Sequence, residues 1–566
     1  MKQRVIGCRG LMRSLLAMLC LAVAVEATAQ EMERERADFE LGRATEILAN
    51  IMREFEVGFV DEVKVDDLLN SAVMGMVMST DPYSEYLSEE DMNDFEVLTT
   101  GRYGGVGSTI RQRGDYVIFA QPYQGSPSDK AGIKIGDKIV SIDGYDMKGA
   151  TVKDASDRLK GEPETFVEVV IKRNIGGTID TLRLCRERIS IPSIPYSGII
   201  RDGVGYISHN DFIEGSYDEM RRAVEHLMAT DSLKGIVLDY RSNGGGVMQE
   251  AVDILSLFLP RNERVVSVKG RDSSSLHTYS TRYAPLAEDV PIIVLVSDLS
   301  ASSSEILAGA LQDLDRAVIM GQRTYGKGLV QGTRYLGYNS YLKYTTSKYY
   351  IPSGRCIQSR DYSDLRNRGG IKSIPDSLIS EYATRNGRRV WDGGGIVPDV
   401  KLEPEYVSRF ATTLYQLGFM DDWADEYMQR HHEERVDPRT FVISDQEYED
   451  FCRFLQDKDI PYESGIRKAL VALEKAVQED LYAEELGPVI ESLKASIKDD
   501  TASNLERYRD EIIETLSIQI ILRNGYLCDV EERVAVKDEA VERAIELLVD
   551  SEEYNRILRE QHLEKH

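Results

Sequence analysis

Three short segments carry residue types suited to attack on a carbonyl group. The first, residues 298–305 (DLSASSSE), directly follows the apolar run 292–297. A helix beginning near Ser303 would place unpaired backbone N–H groups and a positive helix end beside the Ser302 hydroxyl. Such donors suit a developing oxyanion. The alternative is that a serine of this octet only caps the helix.

The second segment, residues 324–331 (TYGKGLVQ), places Lys327 between two glycines. A lysine that acts as a general base must be neutral, and desolvation lowers its pKa. Gly326 and Gly328 keep bulk away from Lys327, and Gln331 could accept a hydrogen bond from its amine. The alternative is a surface lysine with glycine neighbours.

The third segment, residues 238–246 (LDYRSNGGG), ends in three glycines after a predicted strand. Glycine lets the backbone approach a substrate carbonyl, and the N–H groups of Gly245 and Gly246 could stabilise negative charge. The alternative is a flexible turn between strand and helix. A phosphate loop is excluded because no Gly-Lys-Ser/Thr follows.

In their order along the chain, 238–246, 298–305 and 324–331, and in their spacing, the segments resemble the motifs of the C-terminal processing peptidases, serine peptidases of the Ser/Lys type. Lys327 follows Ser302 by 25 residues, as in that family, and the resemblance spans roughly 60–400. It implies a crotonase/ClpP-like core, Ser302 as nucleophile, Lys327 as base and Gln331 as its orienting partner. It also implies an oxyanion hole made by Ser303 with Gly246 or Gly245, and neither cofactor nor metal.

The family resemblance also accounts for a glycine-rich, strand-forming segment upstream. Residues 103–108 (YGGVGS) look like the carboxylate-binding loop of a PDZ domain, and 125–133 and 136–144 resemble further PDZ segments. Such a loop presents N–H groups to a peptide C-terminus while the peptide adds a strand to the sheet. The implied peptide-binding residues are Gly105, Val106, Gly107 and Ser108, and the implied partners are proteins with accessible C-termini.

The chain departs from the family motifs at four positions. Ser303 and Asp298 stand where alanine and asparagine are usual, and Gly244 and Tyr325 replace proline and phenylalanine. A backbone donor survives a change from alanine to serine, so Ser303 leaves the predicted oxyanion hole intact. Asp298 changes the charge just before the nucleophile.

Other functions are open on the sequence. A Ser-His-Asp hydrolase lacks its Gly-x-Ser-x-Gly elbow here, and His209 is the alternative base. A non-catalytic PDZ scaffold on an inactive peptidase fold is the main alternative function. A crotonase-like acyl-CoA enzyme shares the predicted core, but the Ser/Lys pair and the PDZ segment fit it poorly.

Size and composition indicate a multidomain globular protein. The 566 residues exceed what one core supports, and 42% hydrophobic with 29% charged residues is ordinary for a folded chain. The formal charge of −27 disfavours nucleic acid and anionic lipid as partners. Of the six cysteines, the four beyond residue 29, at 185, 356, 452 and 528, are far apart and form no CxxC pair, which disfavours zinc and predicts isolated buried thiols.

The first 29 residues read as a cleavable signal peptide. Four basic residues precede an apolar run of 11 residues over 15–25, and Ala27-Thr28-Ala29 fits signal peptidase. Cleavage would take the net charge from −27 to about −30. We therefore expect export to the periplasm or the medium, without a stable membrane span.

The remaining chain divides into four regions that differ in composition and in predicted secondary structure. Residues 30–98 predict helices, 99–190 a β-rich PDZ domain, 191–402 strands alternating with helices, and 403–566 an acidic helical region. The alternation predicts an α/β peptidase core with a mostly parallel sheet. The fold class is multidomain α/β with an inserted PDZ domain and helical terminal regions. The last region is a candidate surface for an adaptor or for self-association.

Overall fold

The computed structural model describes residues 32 and 34–559, apart from 368–369, 405, 432–434 and 498–499. The predicted signal peptide lies outside the described residues. Two compact units are present. The smaller comprises the chain up to Tyr86 with Leu342–Tyr344 and Tyr362–Gly370, and the larger comprises the rest.

The smaller unit is mainly helical, as the sequence predicts. A helix over 34–58 is followed by the helix Val65–Met78. The turn after the second helix is made by Asp81, whose Oδ1 accepts the N–H groups of Tyr83 and Ser84 at 2.8 Å. This bonding satisfies backbone donors that the chain leaves unpaired after the helix.

The β-rich region of the larger unit begins at Gly101, which ends the helix Glu89–Thr100 in the left-handed conformation. Its main sheet has the strand order Ser108–Arg113, Tyr116–Pro122, Lys138–Ile142, Phe166–Lys172, Ile179–Cys185. Tyr145–Asp146 pairs at the side, and Arg102–Gly105 pairs with Glu187–Ser190. The helices are Pro127–Lys130 and Val152–Leu159, the latter capped by Thr151.

The predicted parallel α/β sheet is present downstream. Its strand order is Tyr196–Arg201, Val204–Ser208, Gly235–Asp239, Ile292–Val296, Val318–Gly321, Val400–Lys401, and only the first pair is antiparallel. We call it the peptidase sheet. Its strands read as continuous apolar runs because both faces are covered.

Alternate residues of these strands enter two different cores. Leu238 and Val294 pack with the helices Ser216–Met228, Met248–Leu255 and Ser303–Asp313 on one face. Val237 and Ile293 pack on the other face with residues 535–557, in the helices Leu527–Lys537, Glu539–Val549 and Ser551–Ile557. The end of the acidic helical region is therefore a layer of the α/β domain.

A second, antiparallel sheet lies beside this domain. It contains Arg264–Gly270, His277–Ser280, Leu329–Gly337 and Ser340–Tyr350. Short strands and single turns complete the larger unit: Ser273–Ser275, Arg360–Asp361, Lys372–Ser373, Asp376–Leu378, Glu381–Ala383 and Arg389–Trp391. The smaller unit contains the turn Ser363–Asn367, and the strand Glu85–Leu87 begins in it.

Five of the remaining C-terminal helices build a core around Trp423, which is buried. They are Arg409–Gln416, Phe419–His431, Asp445–Phe454, Thr501–Arg507 and Arg509–Asn524. Residues 439–443, between two of these helices, form a turn and irregular chain. The helices Gly465–Glu479 and Ala483–Ser496 pack on each other through a separate small core of Leu470, Val477 and Ile490. The four predicted isolated cysteines are free thiols, each only partly buried.

An ion-pair network connects the PDZ region to these helices. Arg111 and Arg113 on the edge strand Ser108–Arg113 pair with Asp421 at 2.9 Å and Asp425 at 2.6 Å. Arg523 also pairs with both aspartates, at 2.7 and 2.8 Å. Burial disfavours the charged form of Asp421, but Arg523 and Arg111 outweigh it and hold its pKa below the usual value.

Candidate active site

Ser302 occupies the junction between the strand Ile292–Val296 and the helix Ser303–Asp313. Its φ of 55° and ψ of −114° lie outside the regions that a residue with a side chain prefers. Such strain persists only where the surroundings fix the backbone, and it is common at functional sites. Ser302 is partly exposed, so its hydroxyl can reach a substrate.

The neighbouring serines hold this junction in place. Ser300, Ser303 and Ser304 are fully buried. Their hydroxyls donate to backbone carbonyls of the glycine turn and the strand before it: Tyr240 at 2.8 Å, Gly246 at 2.9 Å and Asn243 at 2.9 Å. Because these three hydroxyls are buried and hydrogen-bonded, Ser302 is the serine of residues 298–305 whose hydroxyl is accessible.

The glycine turn packs directly against Ser302. A Cβ added at Gly245, whose φ is +103°, would lie 2.7 Å from the Ser302 Cβ. At Gly246, with a φ of +138°, it would lie 2.3 Å from the Phe212 carbonyl oxygen. Both positions require glycine for conformation and for space.

Asn243, which is fully buried, fixes the same turn. Its Oδ1 accepts the N–H of Gly245 at 2.8 Å, and its Nδ2 donates to the His209 carbonyl at 2.8 Å. The N–H of Gly245 is thus already satisfied inside the protein. Sequence analysis assigned Asn243 no role, since an amide beside glycines is typical of any tight turn.

The carboxylate of Glu305 joins the serine segment to the lysine segment. Its Oε2 accepts the N–H groups of Ser302 at 2.9 Å and Lys327 at 2.8 Å. Its Oε1 accepts the N–H of Gly326 at 2.8 Å and the hydroxyl of Thr324 at 2.5 Å. Burial raises the pKa of Glu305 to about 7, and these four hydrogen bonds oppose that rise.

Tyr349 connects the same serine and lysine segments through their backbone carbonyl groups. Its hydroxyl lies 3.1 Å from the Ser302 carbonyl oxygen and 2.6 Å from that of Lys327. Tyr349 is 1% exposed, on the strand Ser340–Tyr350. Sequence analysis missed it because one tyrosine in a β-strand gives no signal of such a contact.

The segment 392–400 packs against residues 324–331, which we call the lysine loop. The Thr324 hydroxyl accepts the N–H of Ile396 at 2.7 Å, and the Thr324 N–H donates to the Ile396 carbonyl at 3.1 Å. On the other side, Gly328 donates to Gln358 Oε1 at 2.8 Å. The lysine loop is therefore fixed on both flanks.

Two other residues that the sequence suggested are Gln331, as the partner of the lysine, and His209, as the alternative base. The Gln331 amide is 3.4 Å from the Thr345 hydroxyl, on adjacent strands. His209 is buried beside Phe212 and Tyr240, its Nδ1 3.0 Å from the Tyr240 hydroxyl. Burial lowers the pKa of His209 to about 3, so this imidazole is neutral and shielded from solvent.

The loop 105–108 adopts a fixed conformation at the edge of the PDZ sheet. Gly105 pairs with Glu187, and Ser108 opposite Pro122 begins the edge strand. The Val106 carbonyl accepts the N–H and the hydroxyl of Ser128, at 2.9 and 2.7 Å. Because C=O and N–H point in opposite directions across a trans peptide, the N–H of Gly107 is directed away from Ser128.

Comparison with known proteins agrees with these features. The profile of peptidase family S41 matches residues 203–364, that of the PDZ domain 118–173, and that of the probable PDZ-protease C-terminal helical domain 410–548. A carboxy-terminal-processing protease of Bartonella bacilliformis is 34% identical over 346 residues, or 60% of this chain and 75% of the relative. The chain belongs to the carboxy-terminal-processing protease family of serine-type peptidases.

Other relatives of this S41 peptidase cover similar shares of it. A probable CtpA-like serine protease of Staphylococcus aureus is 34% identical over 316 residues, which are 55% of this chain and 62% of the relative. The solved photosystem II D1 C-terminal processing protease is 28% identical, covering 63% of this chain and 87% of its own, with a TM-score of 0.34. Within the described residues, no helix combines the length and apolar character needed to cross a bilayer.

Proposed function

We propose that this S41 peptidase hydrolyses peptide bonds near protein C-termini with Ser302 as nucleophile and Lys327 as general base. The observation that carries the proposal is the shared carboxylate of Glu305, which accepts the backbone N–H groups of both residues. A nucleophile and its base must be held at a fixed separation, and one rigid acceptor provides this.

In the first step neutral Lys327 Nζ takes the proton of Ser302 Oγ, and Oγ bonds to the substrate carbonyl carbon. The oxyanion is stabilised by N–H groups of Ser303 and Gly246, since that of Gly245 already donates to Asn243. The C–N bond then breaks while Lys327 returns the proton to the amine. Water resolves the acyl-enzyme by the same proton transfers in reverse order. Gln331, placed beside Thr345, orients the lysine region in this scheme.

The PDZ domain supplies the second half of the proposal, recognition of substrate tails. The strand Ser108–Arg113 is at the edge of its sheet, and the helix Val152–Leu159 runs alongside. A peptide could add as a further strand there, with its carboxylate at residues 105–108. The N–H of Gly107, directed away from Ser128, supports this placement of the carboxylate.

The proposal also includes export, the type of core and an interaction surface, each of which the sequence suggested. We infer export through the segment 1–29, and a crotonase/ClpP-like core built on the peptidase sheet. The hairpin of helices Gly465–Glu479 and Ala483–Ser496 exposes Ile466, Val471 and Val489, which supports an adaptor or self-association surface in the region 403–566.

The decisive test compares cleavage of casein by the protein with residues 1–29 removed, by Ser302→Ala and by Lys327→Ala. We expect activity only in the unmutated protein. Ser232→Ala and Lys269→Ala, both at exposed positions, are the matched controls and should cleave normally. Cleavage by Ser302→Ala would exclude Ser302 as the nucleophile. Absence of cleavage by all variants, even with a PDZ-binding peptide added, would favour the scaffold alternative.

A further inference from the structure

A cleft of about 570 Å³ lies beside the two catalytic segments and has no role in the mechanism above. Asp298 and Leu299 line it from the serine side, and Thr324 and Tyr325 from the lysine side. A chain advances at most about 3.6 Å per residue, so the Leu299 Cα lies within about 11 Å of the Ser302 Cα. A peptide of a few residues can therefore span from the nucleophile to this cleft.

The walls of the cleft combine apolar side chains with one unusual cation. The apolar lining consists of Leu299, Ile374, Ile379, Trp391 and Val397. Arg323 also lines the cleft and is partly buried. Among the residues that the structure describes, none forms a hydrogen bond or ion pair with its guanidinium. Burial lowers the pKa of Arg323, without an anionic neighbour to raise it.

A partly buried arginine without an anionic partner is able to bind an anion in the cleft, because fully buried cations are normally paired. The chain has 96 acidic residues against 69 basic ones, so acidic partners are abundant elsewhere. The arginines Arg355, Arg388 and Arg523 are buried here and each pairs with an aspartate. Two acids line the cleft with Arg323, and neither pairs with it: Asp392 accepts the Ser380 N–H at 2.7 Å, and Asp298 is exposed.

The glycine run of the segment 392–400 leaves this guanidinium uncovered. A Cβ added at Gly394 would lie 3.1 Å from Arg323 Nη1. Any side chain at Gly394 would therefore press on the guanidinium or cover it. The absence of one keeps an arginine fork open to the cleft, and such a fork matches a carboxylate with two parallel N–H donors.

We propose that Arg323 binds the terminal carboxylate of the substrate, with the last apolar side chain in the cleft. This inference rests on the proposed function and deepens it. The PDZ loop would capture a tail at first encounter, whereas Arg323 would fix how far from the terminus Ser302 cuts. The cut would then lie at a fixed number of residues from the end of the substrate.

Peptides that differ only at the C-terminus test the carboxylate. A decapeptide with an apolar last residue is prepared as free acid, as C-terminal amide, and as a free acid extended by one residue. The wild-type protein should favour acid over amide by about 10- to 100-fold in kcat/KM, as expected for a charge-assisted bidentate contact. Its cut should also move by one residue on the extended peptide, measured by mass spectrometry.

Arg323→Gln should lower the acid-to-amide ratio by about 10-fold and abolish the shift of the cut, and the preference for the acid that remains is that of the PDZ loop. Arg323→Lys should give an intermediate ratio, since it keeps charge but loses the fork. Arg334→Gln, at an exposed position on the strand Leu329–Gly337, should retain both properties. An unchanged ratio in Arg323→Gln would overturn the inference. Equal cleavage of the free acid and of an amide ending in glutamate would assign Arg323 to a side-chain carboxylate instead.

A binding measurement separates this inference from the peptidase mechanism. Fluorescence anisotropy with the labelled free-acid peptide is compared for Ser302→Ala and for Ser302→Ala with Arg323→Gln. Weaker binding in the double variant, by about 10-fold, supports the carboxylate contact whether or not Ser302 is the nucleophile. If only a PDZ-loop variant, Gly107→Val, weakens binding, the carboxylate is held at the PDZ loop and the inference fails.

Discussion

Ser302 and Lys327, 25 residues apart in the chain, donate their backbone N–H groups to one oxygen of Glu305 at 2.9 and 2.8 Å. Their carbonyl oxygens in turn lie within hydrogen-bonding distance of the Tyr349 hydroxyl. Each residue is thus held at its own N–H and at its own C=O, which belong to the two peptide groups that flank it. Two buried side chains therefore hold the two backbone segments together.

Glu305→Gln tests this positioning role. The amide retains one acceptor oxygen, but its NH₂ group would face the donors of Ser302, Lys327, Gly326 or Thr324. We expect kcat to fall by about 100-fold, because small displacements of reacting groups carry that cost. KM should change little. Glu288→Gln, at an exposed position, is the control. Normal kcat in Glu305→Gln would show that the carboxylate does not position the pair.

The pKa of Glu305 makes stability depend on pH. Its folded value of about 7 lies above the unfolded value of 4.5, so the folded state binds the proton more tightly. This contribution is complete below pH 4.5 and is lost as the pH rises through 7. The Tm advantage of the wild type over Glu305→Gln should therefore be larger at pH 5 than at pH 8, measured by thermal melts. A gap that widens at pH 8 would contradict the raised pKa.

The sequence indicates the candidate catalytic residues but not the groups that hold them in place. Ser302 and Lys327 stand in local motifs whose spacing indicates their roles, and the parallel strands are recognisable because both faces are apolar. Tyr349 is not predictable, since its contacts bridge residues 47 and 22 positions away. Nor is the packing of residues 535–557 on the peptidase sheet, because an amphipathic helix specifies an apolar face but not the surface that covers it.

Tyr349→Phe keeps the buried ring and removes only the hydroxyl shared by the two carbonyls. Loss of a buried hydrogen-bond partner costs about 1–3 kcal/mol, so Tm should fall by several degrees. We expect kcat to fall about 10-fold as the lysine loop gains freedom. Tyr335→Phe, exposed on the neighbouring strand, should leave both values unchanged. Wild-type kcat together with a lowered Tm would limit Tyr349 to a role in stability.

Gly245 and Gly244 form a matched pair of adjacent glycines. A Cβ at Gly245 would meet the Ser302 Cβ at 2.7 Å, whereas one at Gly244 has no atom within 4 Å. Gly245→Ala should therefore displace Ser302 and lower kcat by about 100-fold. Gly244→Ala should retain nearly full activity. Equal effects of the two substitutions in a casein assay would show that contact with Ser302 is not what requires glycine at 245.

Arg523 is the centre of the network between the PDZ domain and the C-terminal helices. It is nearly buried and pairs with Asp421 and Asp425, which also bind Arg111 and Arg113 of the PDZ edge strand. Removing one partner of a buried pair leaves an uncompensated charge and costs about 3–5 kcal/mol. Arg523→Leu should therefore loosen the PDZ domain, which limited proteolysis would detect as faster cleavage within 99–190.

The matched control for this substitution is Arg556→Leu, which removes an exposed arginine with a long ion pair to Glu553. Exposed pairs contribute about 0–1 kcal/mol, so its proteolysis should follow the wild type. Because the edge strand that carries Arg111 and Arg113 is also the predicted site of peptide addition, a PDZ-binding peptide should alter the cleavage rate in the wild type more than in Arg523→Leu. An equal response in both proteins would mean that the network does not restrain the peptide-binding edge.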